Sequence, residues 1–148
     1  GQGDGGGRMK RICVIDGQGG GIGSAIIKKL KAVLGETVEI VALGTNAIAT
    51  AQMLKAGANR GASGENAVVH AAVASDLIVG PISITWANAM LGEVTPRMAE
   101  AIMTCPVKKV LLPLTQEPVV LIGLVSETLP HMVRHAVKEE IKEVLADV

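Results

Sequence analysis

The stretch that most constrains this chain is residues 11–30, RICVIDGQGGGIGSAIIKKL. Ile12, Cys13, Val14 and Ile15 form a short apolar run that enters a loop with glycine at 17, 19, 20, 21 and 23. An amphipathic segment follows, with Ile22, Ala25, Ile26 and Leu30 on one face and Lys28, Lys29 and Lys31 elsewhere. Strand, glycine turn and helix in that order place a phosphate at a helix N-terminus. The first amides of a helix have no intrahelical acceptor, and the macrodipole favours an anion beside them. Glycine lets the chain turn with positive φ and lets a ligand approach with no Cβ in the way. The candidate binding residues are therefore Asp16, Gly17, Gln18, Gly19, Gly20, Gly21, Ile22 and Gly23.

The spacing is informative in detail. A strict G-x-G-x-x-G fails, because from Gly17 the third glycine falls on Ile22 and from Gly19 on Ser24. What fits is G-x-x-x-G-I-G, Gly17 to Gly23. That spacing resembles the cofactor loop of short-chain dehydrogenases, with Asp16 where that family usually has Thr. The resemblance implies NAD or another nucleotide on the loop, and it ends there. Those enzymes use Tyr and Lys four apart for proton transfer, and this chain has no tyrosine. The competing explanation is a tight strand–helix turn, rich in glycine only to pack helix against sheet.

Farther along, Gly35 ends the first helix, and residues 38–43, VEIVAL, read as a second strand. Dinucleotide folds place an acid at the tip of that strand to hold the ribose. Here the tip offers Thr45 and Asn46 instead, with no arginine for a 2′-phosphate. A short helix over 46–56 precedes a loop at 57–66, with Ser63 or Asn66 as the cap of a helix over 67–75. That loop is either a lid carrying Arg60 toward the glycine loop or a plain connector. Residues 76–84 read as a third strand whose exit, Gly80, Pro81 and Ile82, lies where open parallel sheets bind ligands. Trp86 reads as core or interface, and Thr95 caps a helix that starts at Pro96. Strands four (107–114) and five (119–125, VVLIGLV) are joined by only four residues, which predicts a hairpin with the last strand antiparallel. Thr115 and Gln116 then sit at the crevice edge. The last helix, 131–146, buries Met132, Val133, Ala136, Val137, Ile141 and Leu145.

The 148 residues amount to about one domain. Residues 1–8, GQGDGGGR, read as a flexible extension or cloning remnant, and 9–148 as a single nucleotide-binding domain. Apolar residues make up 49% and charged ones 19%, too few charges to cover a monomer, which predicts a homodimer or higher homo-oligomer. Net charge is zero, with one Trp and no Phe or Tyr, which argues against nucleic acid as partner. The longest uncharged run, 77–92, is short and broken by Gly80, Pro81 and Asn88, so no membrane partner is expected. Two cysteines without metal spacing, and no basic-then-apolar leader, predict a reducing cytoplasm. His131, His135 and Glu139 share a helix face at i, i+4, i+8, but no further ligand accompanies them, so no metal is assigned. There is no nucleophile elbow and no P-loop.

Taken whole, the chain resembles a family of small bacterial proteins known only as a domain of unknown function. The residues carrying this are DGQGGGIG at 16–23, ALGTNA at 42–47, LKAGAN at 54–59, GEN at 64–66, DLIVGPI at 76–82 and LGEVTP at 91–96. The resemblance implies a three-layer Rossmann-like α/β fold, mostly parallel, with strand order 3-2-1-4-5, and supplies no activity. Three functions stay open. The first is a sensor or accessory subunit binding a nucleotide or NAD-like dinucleotide. The second is an enzyme acting on a phosphorylated small molecule with Asp16, Glu65 or Glu93 as acid–base groups and Arg60 for charge. The third is an oligomeric scaffold without ligand.

Overall fold

In the computed structural model, which describes residues 8–148, five parallel strands form one sheet in the order β3-β2-β1-β4-β5. They are β1 Lys10–Asp16, β2 Val38–Gly44, β3 Arg60–Ser63, β4 Leu77–Pro81 and β5 Lys108–Leu112. Helices α1 Gly21–Leu34, α2 Ala47–Lys55, α3 Glu65–Ala72 and α4 Pro96–Thr104 connect them. The chain then ends in one long helix: α5 Leu129–His135, a π-helical turn Ala136–Ile141 and α6 Lys142–Asp147.

Period-two alternation explains the layers. In β1, Ile12 and Val14 point into a core shared with α1, α2 and the C-terminal helix. Cys13 and Ile15 point into a second core, shared with α3 and α4. A central strand covered on both faces must be apolar at every position, which is why its run reads as continuous rather than alternating. Each helix start has its own cause. The Asn46 side chain accepts from the Ala49 amide at 2.8 Å, and Thr95 accepts from Met98 at 3.1 Å with proline in the first turn. The π-helical turn sets Ala136, Val137 and Ile141 into the α1-side core.

The expected order 3-2-1-4-5 stands, but other segments fill it. The place beside β2 is taken by β3, from the stretch expected to be a loop, while residues 77–81 stand beside β1. The β3 sequence, RGAS, lacks β-branched residues and is exposed throughout. It is a strand because its backbone completes the open edge of β2, an example of pairing overriding propensity. The expected antiparallel strand over 119–125 is absent, and every strand pair is parallel. Helix α3 starts at Glu65 behind Gly64, whose φ of 97° is open to glycine, so neither Ser63 nor Asn66 caps it. The extension read at 1–8 lies outside the described residues except for Arg8, whose guanidinium forks onto Asp76 at 2.7 and 2.8 Å.

Gly80 shows how tightly the sheet centre is drawn. A Cβ there would run into the Ile15 carbonyl oxygen of β1, which is backbone and cannot move aside. Gly80→Ala is expected to cost about 1–3 kcal/mol, whereas Gly21→Ala, where a Cβ meets nothing within 4 Å, should be nearly neutral. Urea unfolding of the two variants checks this; equal losses would contradict it.

Candidate functional site

The sheet reverses its winding between β1 and β4, and open α/β sheets bind ligands at that switch point. A cleft of about 1030 Å³ opens there. One wall is the β1–α1 loop, Asp16 to Ile22. The opposite wall is the chain leaving β5, Leu114 to Pro118, and the floor includes Pro81 and Ser83. Asn88, Met90, Leu91, Gly92 and Leu129 complete the rim.

The loop is set by a buried acid. Asp16 is 3% exposed. Its Oδ1 accepts from the Gly17 amide at 2.8 Å and its Oδ2 from the Gly23 amide at 2.7 Å. Asp16 thus ends β1 and caps α1 from the strand side. Burial pushes its carboxyl above the ordinary range, opposed by the amides of Gly23, Gly17 and Ile22 and reinforced by Glu93. Gly20 closes the turn in the left-handed region, φ 75°, its amide bonded to the Gly17 carbonyl at 2.9 Å. A Cβ on Gly20 would press on the backbone of Ala49, and one on Gly23 on Met53 and Asp16. These two glycines serve packing.

Gly19 and Gly21 differ. A Cβ on either meets nothing within 4 Å, and among the described residues neither amide has a hydrogen-bond acceptor. They are the bare donors at the head of α1, and both line the cleft.

The β2 side of the loop is shut. Glu93, from the loop after the 3-10 turn Ile82–Thr85, reaches across it. One Glu93 oxygen accepts from the Gln18 amide at 2.8 Å, the Thr45 hydroxyl at 2.7 Å and the Asn46 side-chain amide at 2.8 Å. An acid does therefore stand at the tip of β2, supplied by a different loop and turned inward. Thr45 and Asn46 hold Glu93 and stand outside the cleft lining. Of the strand-exit candidates, Pro81 lines the cleft, while Gly80 and Ile82 lie behind it. On the far wall, Glu117 Oε2 accepts from the Met90 amide at 3.0 Å and ties the two rims together. Thr115 and Gln116 line the cleft as the crevice-edge reading expected. Sequence offered Glu93 only as an acid–base group and did not offer Glu117; their structural roles were invisible, since each meets a backbone amide brought near only by the fold.

The other candidates are dispersed. Arg60 sits at the start of β3, in register with Val41, and pairs with Glu39 at 3.2 Å. It lies at the end of the sheet away from the glycine loop, and the middle of the 57–66 stretch, Arg60–Ser63, is an edge strand and not a lid. Glu65 accepts from the Thr95 hydroxyl at 2.6 Å, outside the cleft. His131 faces Glu127 at 3.4 Å, and His135 faces Glu139 at 3.3 Å and Glu140 at 3.2 Å. Among the described residues no three His, Cys, Asp or Glu are placed to hold a metal. Burial pushes the Cys13 thiol up to about 11, and both cysteines lie in the core. No described helix is long and apolar enough to cross a membrane.

Residues 11–145 match a domain of unknown function (DUF3842), and the chain belongs to that family. No curated protein matches it. Among solved structures, a dodecameric FMN-dependent UbiX-like decarboxylase from Escherichia coli O157:H7 is similar, at 17% identity over 94% of each chain with a TM-score of 0.49.

Glu93 makes the latch testable by pH. Burial opposes its charge, but the donors from Gln18, Thr45 and Asn46 outweigh that and hold its carboxyl below the ordinary 4.5. A lowered carboxyl contributes stability that is complete above the unfolded value and lost as pH falls through the folded one. The melting-temperature gap between the wild type and Glu93→Gln is therefore expected to be widest at neutral pH and to shrink below about pH 4.5. A gap that stays constant with pH would contradict the latch.

Proposed function

We propose that this member of the family binds a nucleotide-type ligand carrying one phosphoryl group. The phosphoryl group is received by the amides of Gly19 and Gly21, with Gly20 and Ile22 shaping the turn. The body of the ligand runs over Pro81 toward Thr115 and Gln116. The observation that carries this reading is the pair of unpartnered amides opening onto a cleft at the switch point of the sheet.

Charge narrows the ligand. Asp16 and Glu117 line the cleft, and among the described residues no lysine, arginine or histidine does. Two amides and a helix dipole favour one anionic group; each further phosphate meets carboxylates with no cation to offset them. Like charges repel by up to about 4 kcal/mol at 4 Å near a protein surface. Ile22, Pro81, Met90, Leu91, Leu114, Pro118 and Leu129 give the cleft an apolar wall suited to a flat ring.

The β2 latch sets the pose. A dinucleotide laid in the usual way would put its adenosine ribose at the tip of β2, where Thr45 and Asn46 hold Glu93. NAD, expected from the loop spacing, fits only if Glu93 swings out. A mononucleotide over β4 and β5 needs no such movement. Both Asp16 oxygens already accept backbone amides, and Glu65 and Arg60 stand elsewhere, so the features at the cleft support binding, as a sensor or accessory subunit, ahead of acid–base catalysis.

Thermal shift separates these ligands, because one that binds only the folded state raises the melting temperature. AMP and FMN are expected to raise it by several degrees, with ATP and NADP weaker, and Gly21→Val should abolish the response without lowering the ligand-free melting point. No response to any nucleotide, or one unaffected by Gly21→Val, would overturn the reading.

A further inference from the structure

The segment between β5 and α5 carries an apolar sequence that the fold does not use. Val119, Val120, Ile122, Leu124 and Val125 are 44, 83, 92, 52 and 77% exposed. The segment is irregular, with a turn at Ile122–Gly123, although its β-branched composition is that of a strand. Leu91, 97% exposed, sits at the cleft rim next to Met90, whose amide donates to Glu117 at the base of the arm. Leu91 is displayed at a cost. Asn88, Met90 and Leu91 all have positive φ, at 70°, 57° and 56°. Three non-glycine residues in that region within one loop are held there by the surrounding contacts, and such backbone accumulates where a surface is put to use.

We infer that the 119–125 arm and Leu91 form the surface on which a second copy of this chain docks. Summed over whole residues, the six expose on the order of 700 Å², most of it apolar, against the ~800 Å² per partner of a standard interface. From Pro118 to Ser126 there is no charged residue, and the whole chain is neutral, with fourteen basic and fourteen acidic residues. Two identical patches therefore meet without repulsion, as a two-fold interface requires. A lipid surface is the poorer occupant, since Glu117 and Glu127 flank the arm where basic residues would be needed. The arm begins at Thr115–Pro118, the far wall of the cleft, so a docked copy stands at the mouth of the ligand site. The interface does not require a ligand, and its test is independent of the nucleotide reading.

Sedimentation velocity of the full chain at micromolar concentration, without ligand, tests this. The wild type should sediment as a dimer or larger assembly. The doubly substituted Val120→Glu, Ile122→Glu chain should be monomeric with an unchanged far-UV circular dichroism spectrum, since both positions are exposed, and Ile122→Val should still associate. A monomeric wild type, or a doubly substituted chain that associates as the wild type does, would overturn the inference. So would a monomer that floats with phosphatidylcholine vesicles, which would give the surface to lipid.

Discussion

The two hydrogen bonds that Asp16 accepts from the amides of Gly17 and Gly23 hold the site in its shape. They fix the end of β1 and the beginning of α1 to a single carboxylate. The helix therefore starts at a defined distance and angle from the strand. A buried acid that tolerates a raised proton affinity to accept two backbone amides is an unusual anchor in a loop where most phosphate-binding folds leave amides free. Its effect is selective. It takes the Gly23 amide from the helix head and leaves those of Gly19 and Gly21 facing the cleft.

The same device recurs around the rim. Glu93 takes the Gln18 amide and Glu117 takes that of Met90. Three carboxylates from three connections are satisfied by backbone and neutral side chains, with no cation among their hydrogen-bond partners. That arrangement holds the loops together and keeps the cleft acidic. Two of the three, Asp16 and Glu117, line the cleft beside the free amides of Gly19 and Gly21. Net neutrality of the chain conceals this local imbalance.

The parts legible in the sequence were those governed by local chemistry. The β1 run, the glycine loop, the α1 stripe, the Asn46-to-Gly57 helix and the Thr95–Pro96 start all follow from periodicity and caps. The parts that were not legible depend on distant partners. Arg60–Ser63 is a strand only because β2 offers an unpaired edge. Residues 119–125 have strand composition but no partner within the chain, so composition alone misassigned them. The acid missing from the tip of β2 comes from 48 residues beyond Thr45, and nothing near Glu93 in sequence announces its target. Gly80 and Gly23 look like ligand-facing glycines in sequence and prove to be packing glycines, a distinction that rests on which backbone passes beside them.

Amide chemical shifts read the account most directly. In a ¹⁵N–¹H titration of the full chain with AMP, the Gly19 and Gly21 resonances are expected to move together and saturate, while those of Gly17 and Gly23, already bonded to Asp16, move little. Saturable shifts at Gly17 and Gly23 with Gly19 and Gly21 unmoved, or no saturable change anywhere in the loop, would contradict the claim that these two amides are the ones kept open for an anion.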